Sequence, residues 1–232
     1  MIGAFILKGK QETFQEAYDS VKDQVDFVEV IENVQPVNKA INKCFEIAER
    51  KASHFVIYGA DTVHYPGSIK IMMGYMDSGI WCVMGKLDDY FRGSDNYGNH
   101  FYRTAAIKGY RVNEDDPMYD HAIHKEMEEE RGMKKAITEK TIGKHHPSWT
   151  AKEAFEKHLH SGQRYEGKEL KKYYGQVCKM FKDDPNTISE AAKLGYEMGM
   201  QTYKKLEPLT FKESDEWNKV KNMFNINDKL KW

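Results

Sequence analysis

The chain has 232 residues, 40% of them hydrophobic and 31% charged, which suits one α/β domain of ordinary size with an extension and a heavily ionised surface. Lys and Arg number 35 against 36 acidic residues, a formal net charge of −1, so no global charge favours nucleic acid or an anionic membrane. No run approaches the ~18 apolar residues of a transmembrane helix, and the N-terminus lacks the basic region and long apolar core of a signal peptide. Cys44, Cys82 and Cys178 are isolated from one another, which suits a reducing compartment and argues against a cysteine metal site. A cytoplasmic protein with no transmembrane segment and no nucleic-acid partner is the expectation.

Taken in order, Ile2-Gly3-Ala4-Phe5-Ile6-Leu7 reads as a first strand, ending at a Lys8-Gly9-Lys10 loop able to meet an anion. Phe14, Ala17, Tyr18 and Val21 fall at helical spacing and predict an amphipathic helix over residues 12–24. Phe27-Val28-Glu29-Val30-Ile31 is a second strand that ends at Glu32-Asn33, and Ile41, Cys44, Phe45 and Ala48 mark a second helix. Phe55-Val56-Ile57-Tyr58 is then a nearly continuous apolar run, as in a strand buried on both faces, and it stops at Gly59-Ala60-Asp61. Strand, helix, strand, helix, strand is the signature of a doubly wound parallel sheet. Ligands of such sheets bind beyond the carboxyl ends of the strands, the edge where Asp61 stands. A turn carboxylate that merely caps the next helix, near Pro66, is the plainer alternative.

After Pro66, Ile69, Met72, Met73 and Met76 form a helical stripe read as core filler. Trp81-Cys82-Val83-Met84 is a fourth strand. Residues 85–113 look loop-rich and aromatic, with Gly93, Asn96, Gly98 and Asn99 among Tyr90, Phe91, Tyr97, Phe101 and Tyr102. Helical signals return over residues 119–130 and stop at Arg131-Gly132, and residues 135–142 read as a last strand before Gly143-Lys144-His145-His146-Pro147. From Thr150 the pattern becomes helical: Thr150 and Glu153 form a capping box, and three stripes follow on Leu170-Tyr173-Tyr174-Val177-Phe181, on Ile188-Ala191-Ala192-Gly195-Met198, and on Trp217-Val220-Phe224. The boundary expected on these grounds divides a sheet domain, 1–149, from a helical extension, 150–232, that covers the sheet or joins two copies. The last eight residues are expected to fray.

Asp61, Asp120 and the His145-His146 pair all lie on the expected ligand side. A carboxylate and an imidazole from separate loops can bind a divalent cation, with open positions left for phosphate oxygens. Asp120 follows Glu114, Asp115 and Asp116; such a run can be a solvated helix start favoured by the macrodipole, or can supply a general base.

The order of these elements resembles the GT-A-type nucleotide-sugar glycosyltransferases, in particular the large family-2-like group, over about residues 2–149. The first strand and the helix ending Ser20-Val21-Lys22-Asp23-Gln24 resemble that family's opening. Asn38-Lys39-Ala40-Ile41-Asn42 with Ala48 resembles its next helix, and Val56 to Asp61 stands where the family carries a D-x-D strand end. Tyr119-Asp120, Gly132 and His145-His146 resemble its E-D, G and H tail. Gly59 replaces the first aspartate of D-x-D, and Tyr119 replaces the glutamate of E-D.

The resemblance implies a Rossmann-type three-layer sandwich with a mostly parallel central sheet. It also implies transfer of a sugar from a nucleotide diphosphate sugar to a hydroxyl acceptor. The nucleotide-sugar site would draw on Leu7, Lys8, Glu32, Asn33, Lys39, Asn42, Tyr58, Gly59, Ala60 and Asp61. Asp61 with His145 or His146 would hold Mn2+ or Mg2+, and Asp120 would be the base of an inverting displacement. If configuration is retained, Asp120 needs another role. Tyr102, Arg103 and Trp149 would meet the acceptor, since aromatic faces pack well on sugar rings. A sugar-nucleotide nucleotidyltransferase, or a catalytically silent scaffold, are the other readings of the same residues.

Overall fold

The computed structural model describes the backbone of residues 1–9, 13–115, 119–164, 167–202 and 229–231, with the side chains of 94–95, 119–121, 160, 163–164, 167, 169, 201–202 and 229–231 outside that description. The chain divides into two compact units, Met1–Pro147 and Ser148–Trp232.

The first unit begins as the periodicity predicts: β1 (Ile2–Lys8), α1 (Phe14–Val21), β2 (Phe27–Glu32), α2 (Val37–Lys51), β3 (His54–Gly59). β1 pairs in parallel with both β2 and β3. The stripe on α2 buries Ile41, Cys44, Phe45 and Ala48 in the i, i+3, i+4, i+7 pattern of one helix face. A three-residue strand, β4 (Thr62–His64), and α3 (Ser68–Gly74) follow. On α3, Ile69 and Met72 are buried and Met73 packs against the same core, as does Met76 just beyond the helix, so these methionines are filler as read.

The segment expected to be loop is instead a hairpin, β5 (Ile80–Asp89) and β6 (Gly93–Arg103). Its Asn and Gly content disguised it, because Asn96 and Asn99 are buried and find partners there: the Asn96 amide donates across the hairpin to Asp89 at 3.3 Å, and Asn99 Nδ2 meets His64 Nε2, far along the chain, at 3.1 Å. α4 (Thr104–Ile107) and α5 (Tyr119–His124) come next, and α5 runs into a π-helical stretch, Lys125–Glu130. The helix ends where Gly132 takes a left-handed φ of 65°. β7 (Lys134–His145) completes the unit.

Among the described residues seven strands form one sheet, in the order β2-β1-β3-β6-β5-β7-β4. Five run one way, and β6 and β4 run against them, so the sheet is mostly parallel by direction. Side-chain alternation splits the core into two layers. Phe5, Phe55, Trp81 and Tyr102 pack on α2 and α4 with Ile123 and Met127, whereas Ile6, Val56, Tyr58, Val83 and Phe101 pack on α1 and α3. This is a helix–sheet–helix sandwich.

A buried polar network fixes α1 against β4. Ser20 Oγ accepts from the His64 amide, Gln24 donates to the Ser20 and Tyr65 carbonyls, and Ser68 Oγ meets both Gln24 and His64. His64 is fully desolvated, and burial lowers its pKa to about 4.

The second unit holds β8 (Ser148–Thr150), α6 (Ala151–Arg164), α7 (Gly167–Asp183), α8 (Thr187–Thr202) and β9 (Lys229–Lys231). The capping box forms as read: the Glu153 amide donates to Thr150 Oγ1, and the Thr150 amide donates to the Glu153 carboxylate at 2.9 Å. α6 and α8 approach closely through glycine, since a Cβ on Gly195 would stand 2.4 Å from the Phe155 carbonyl oxygen. The stripe on Trp217, Val220 and Phe224 lies outside the described residues. Within the C-terminal stretch expected to fray, β9 pairs with β8. Among the described residues no helix is long and apolar enough to cross a membrane.

Candidate functional site

Three strand ends meet in the first unit. β3 stops at Gly59, the chain turns through Ala60 and Asp61, and β4 then pairs antiparallel with β7, with Thr62 opposite His145. β5 runs alongside β7 and ends with Asp89 opposite the same His145. Sheet register alone therefore gathers Asp61, Asp89, His145 and His146. The His146 amide donates to the Asp61 carbonyl at 2.6 Å, and His146 adopts a positive φ of 54°, an uncommon conformation for a residue with a Cβ.

The side chains follow the backbone. Asp89 is buried, and its carboxylate accepts from the Phe91 and Arg92 amides at 2.9 and 3.0 Å, from Asn96, and from His145 Nδ1 at 2.6 Å. An ionised carboxylate only accepts, so Nδ1 carries the proton and Nε2 of a neutral ring is left as an acceptor. That Nε2 lies 3.7 Å from Asp61 Oδ2, and His146 Nε2 lies 3.9 Å from the same oxygen. Asp61 and the two histidines retain about a fifth of their side-chain exposure, so the cluster is open to a ligand. Gly59 makes room for it: a Cβ there would stand 2.5 Å from Asp61 Oδ1. The residue that departs from D-x-D is the one that lets the Asp61 carboxylate fold back over the strand end.

One carboxylate oxygen and two imidazole nitrogens form a mixed donor set that a first-row transition metal such as Mn2+ accepts more readily than Mg2+, which favours oxygen ligands. Among the described residues no group of three or more His, Cys, Asp or Glu is placed so that it could hold a metal ion. The donor chemistry fits a cation, and the closure onto it is not preformed.

Beside this cluster, a pocket of about 520 Å3 opens at the ends of β1 and β2, lined by Leu7, Lys8, Gly9, Ile31, Asn33, Val34, Gln35, Val37 and Ala40. The Ala60 amide donates to the Leu7 carbonyl at 3.0 Å, which joins the pocket wall to the turn that carries Asp61. At the rim, Lys8 Nζ meets Glu32 at 2.7 Å and lies 4.5 Å from the Phe14 ring centroid.

Several residues expected at the site do other work. Tyr58 points into the α1 and α3 layer, packs its ring 4.6 Å from His64 and donates its hydroxyl to the Ala17 carbonyl; burial pushes its phenol pKa up. Asn42 grips the Val112 backbone through both ends of its amide, at 2.8 and 2.9 Å, and the Asn38 amide donates to the Asn113 carbonyl, so the two clamp the segment that leads to α5 onto α2. Lys39 is exposed on the first turn of α2. Ala60 is buried, and its carbonyl accepts from Thr13 Oγ1.

The acceptor assignment needs correction at three residues. Tyr102 is buried between Phe45, Phe55 and Trp81. Arg103 pairs across from His54, the first residue of β3, and donates to the Ser78 carbonyl; because β6 runs antiparallel, its end lies at the edge of the sheet opposite Asp61. Trp149 belongs to the second unit, where it is buried, with Lys157 Nζ 4.8 Å from its ring centroid. Asp120 falls within α5, but its side chain, like Asp116 entirely, lies outside the described residues; Glu114 and Asp115 are exposed before it. Sequence reasoning missed Asp89. Its signal was there in Leu87-Asp88-Asp89, a carboxylate pair closing an apolar run.

No protein-family model matches the chain, and no curated protein matches it. Among solved structures, it is similar to a mannosyltransferase from Pyrobaculum calidifontis in complex with GDP-Man and Mn2+, at 9% identity and a TM-score of 0.55 over 90% of this chain and 76% of that one. Glucosyl-3-phosphoglycerate synthase from Mycobacterium tuberculosis, with Mg2+ and UDP, gives 11% identity and a TM-score of 0.49 over 62% and 71%. Residues 1–349 of S. aureus TarS give 9% and 0.48 over 92% and 94%. At such identity the first likeness speaks for architecture, and it agrees with the strand order and layers described above. The chain has the GT-A fold of the nucleotide-sugar glycosyltransferases.

Proposed function

We propose that the chain is a glycosyltransferase that moves a sugar from a nucleotide diphosphate sugar to a hydroxyl acceptor, with a divalent cation, and with inversion at the sugar carbon. The observation that carries this reading is the facing of His145 Nε2 and Asp61 Oδ2 at 3.7 Å. With Nδ1 committed to Asp89, two acceptors confront one another, an arrangement favourable only around a shared proton or cation. The solved mannosyltransferase of this fold was captured with GDP-Man and Mn2+, which supports the same chemistry here.

The adjacent pocket suits a nucleoside. Leu7, Ile31 and Ala40 offer an apolar wall for a base, and Lys8, whose ammonium is shared with Glu32, supplies positive charge at the mouth. Asp61 with His145 or His146 would hold Mn2+ or Mg2+; when bound, the cation neutralises charge on the departing diphosphate. Asp120, at the start of α5, would take the proton of the attacking hydroxyl.

A thermal-shift screen of nucleotide diphosphate sugars, each with and without Mn2+, tests the reading, because selective binding raises apparent stability. A shift that needs both sugar nucleotide and metal is expected. Stabilisation by nucleoside triphosphate plus sugar phosphate would favour a nucleotidyltransferase. No shift with any nucleotide would sink the transferase assignment.

A further inference from the structure

The second unit distributes its charge unevenly. α6 and α8 mix signs along their faces, with Lys152 3.8 Å from Glu156 and Lys193 3.4 Å from Glu197. α7 differs: Lys168, Lys171, Lys172, Lys179 and Lys182 are all exposed. At roughly 100° per residue, these five fall within one arc of about 100°, shared only with Gly175. The two acids of α7, Glu169 and the terminal Asp183, stand outside the arc by position. The opposite side of the helix is committed to α8. Val177 is buried, the Tyr174 ring lies 6.0 Å from Tyr196, the Tyr174 hydroxyl donates to Glu197 at 2.8 Å, and Phe181 lies under Lys193. The lysines thus point away from that contact, in a line about 21 Å long at 1.5 Å per residue.

We infer that this face of α7 is an electrostatic docking surface for an anionic phospholipid bilayer. The arc is straight and one-sided, so its ammonium groups can meet a plane together. By position the arc holds no aromatic residue for base stacking, although the Tyr173 ring lies 5.6 Å from Lys172 Nζ beside it, and it holds no arginine fork for bidentate phosphate recognition, which nucleic-acid grooves exploit. The near-zero net charge of the whole chain is no obstacle, because attraction is local on the scale of a Debye length, about 8 Å at physiological salt. Each lysine held at an anionic surface adds roughly fivefold to affinity. This inference is independent of the transferase reading.

Sedimentation of the full chain with vesicles tests it. Vesicles of phosphatidylcholine containing phosphatidylglycerol should carry the protein down at low salt, and release it as salt is raised; phosphatidylcholine alone should not. The Lys171→Gln, Lys179→Gln double variant should bind the anionic vesicles roughly thirtyfold more weakly, at five- to sixfold per lysine. Lys70→Gln with Lys108→Gln, exposed on the first unit, should bind as the parent does. Far-UV circular dichroism checks that both variants remain folded. Equal binding to neutral vesicles, unchanged binding by the α7 variant, or retention of the protein by single-stranded RNA but not by vesicles would each overturn the inference.

Discussion

Asp89 Oδ2 and His145 Nδ1 lie 2.6 Å apart at the ends of two neighbouring parallel strands, and Asp89 is nearly inaccessible to solvent. Its other oxygen is held by two backbone amides, so the carboxylate cannot turn away from the imidazole. In Asp89→Asn, the amide oxygen would keep the backbone bonds and the amide nitrogen would face Nδ1, which drives the His145 proton to Nε2. The ring would then present a donor where a cation needs a lone pair. Manganese-linked nucleotide affinity should fall about 10–100-fold, as for other outer partners of ligating histidines. Nitrogen chemical shifts of the ring would report the tautomer directly, and an unchanged tautomer refutes the assignment.

Asp61→Ala should abolish metal-dependent nucleotide binding and leave the fold intact, since a partly exposed carboxylate at a strand end adds little to the core. Gly59→Ala is the subtler probe. The added methyl would stand 2.5 Å from Asp61 Oδ1, and the carboxylate must swing away. Titration of Mn2+ in the presence of nucleotide should show weaker binding for both variants, with Gly59→Ala intermediate. Parental affinity in Gly59→Ala would mean that the orientation of Asp61 is irrelevant. His145→Ala and His146→Ala should differ, because only His145 is oriented by Asp89.

Asp120→Asn keeps shape and removes basicity. Turnover should drop about 10²–10⁴-fold, the range for a lost general base, with donor affinity nearly unchanged. Glu114→Gln and Asp115→Asn serve as controls, since both precede α5 and are exposed. Initial rates with saturating donor decide the matter. Full activity in Asp120→Asn, with loss in a control, would move the base upstream.

Stability should fall with acid through His64. Burial lowers its folded pKa to about 4 from 6.5. The unfolded chain therefore binds a proton that the native chain refuses, and stability rises with pH in that interval. The contribution is fully present above about pH 6.5 and is lost as pH falls toward 4, amounting to about 3 kcal/mol at 1.36 kcal/mol per unit. Urea unfolding across that window should show the slope in the parent, and a shallower one in His64→Gln. Part of the slope will persist, because desolvation and Arg103 lower the His54 pKa as well. Identical slopes would exclude His64 as the source.

The β1–α1–β2–α2–β3 run was legible because each element carries a single clean period: continuous apolar strands between two helix layers, and helices with one buried stripe. β6 was not, because its burial is polar. Asn96 and Asn99 look like loop residues until Asp89, across the hairpin, and His64, distant in sequence, are seen to satisfy them. The misplacement of Tyr58 and Tyr102 has a different origin. In a strand with helices on both sides, adjacent residues face opposite layers, and hydrophobicity cannot tell the two apart. Parity was the usable signal, for Tyr58 and Gly59 necessarily point opposite ways. Asp89 escaped notice because its role is visible only once β5 and β7 are laid side by side.

The pairing of Thr62 with His145 joins positions more than eighty residues apart. A chain emerging from the ribosome can form the β1–β3 half of the sheet, and the pocket at the ends of β1 and β2, well before β7 has been made. Asp61 acquires its histidine neighbours only when β7 arrives to meet β4, a strand of three residues that has no other partner in the sheet among the described residues. Fragments that stop short of β7 would thus lack the histidine half of the cluster, and metal-linked affinity would serve as a readout of completed synthesis.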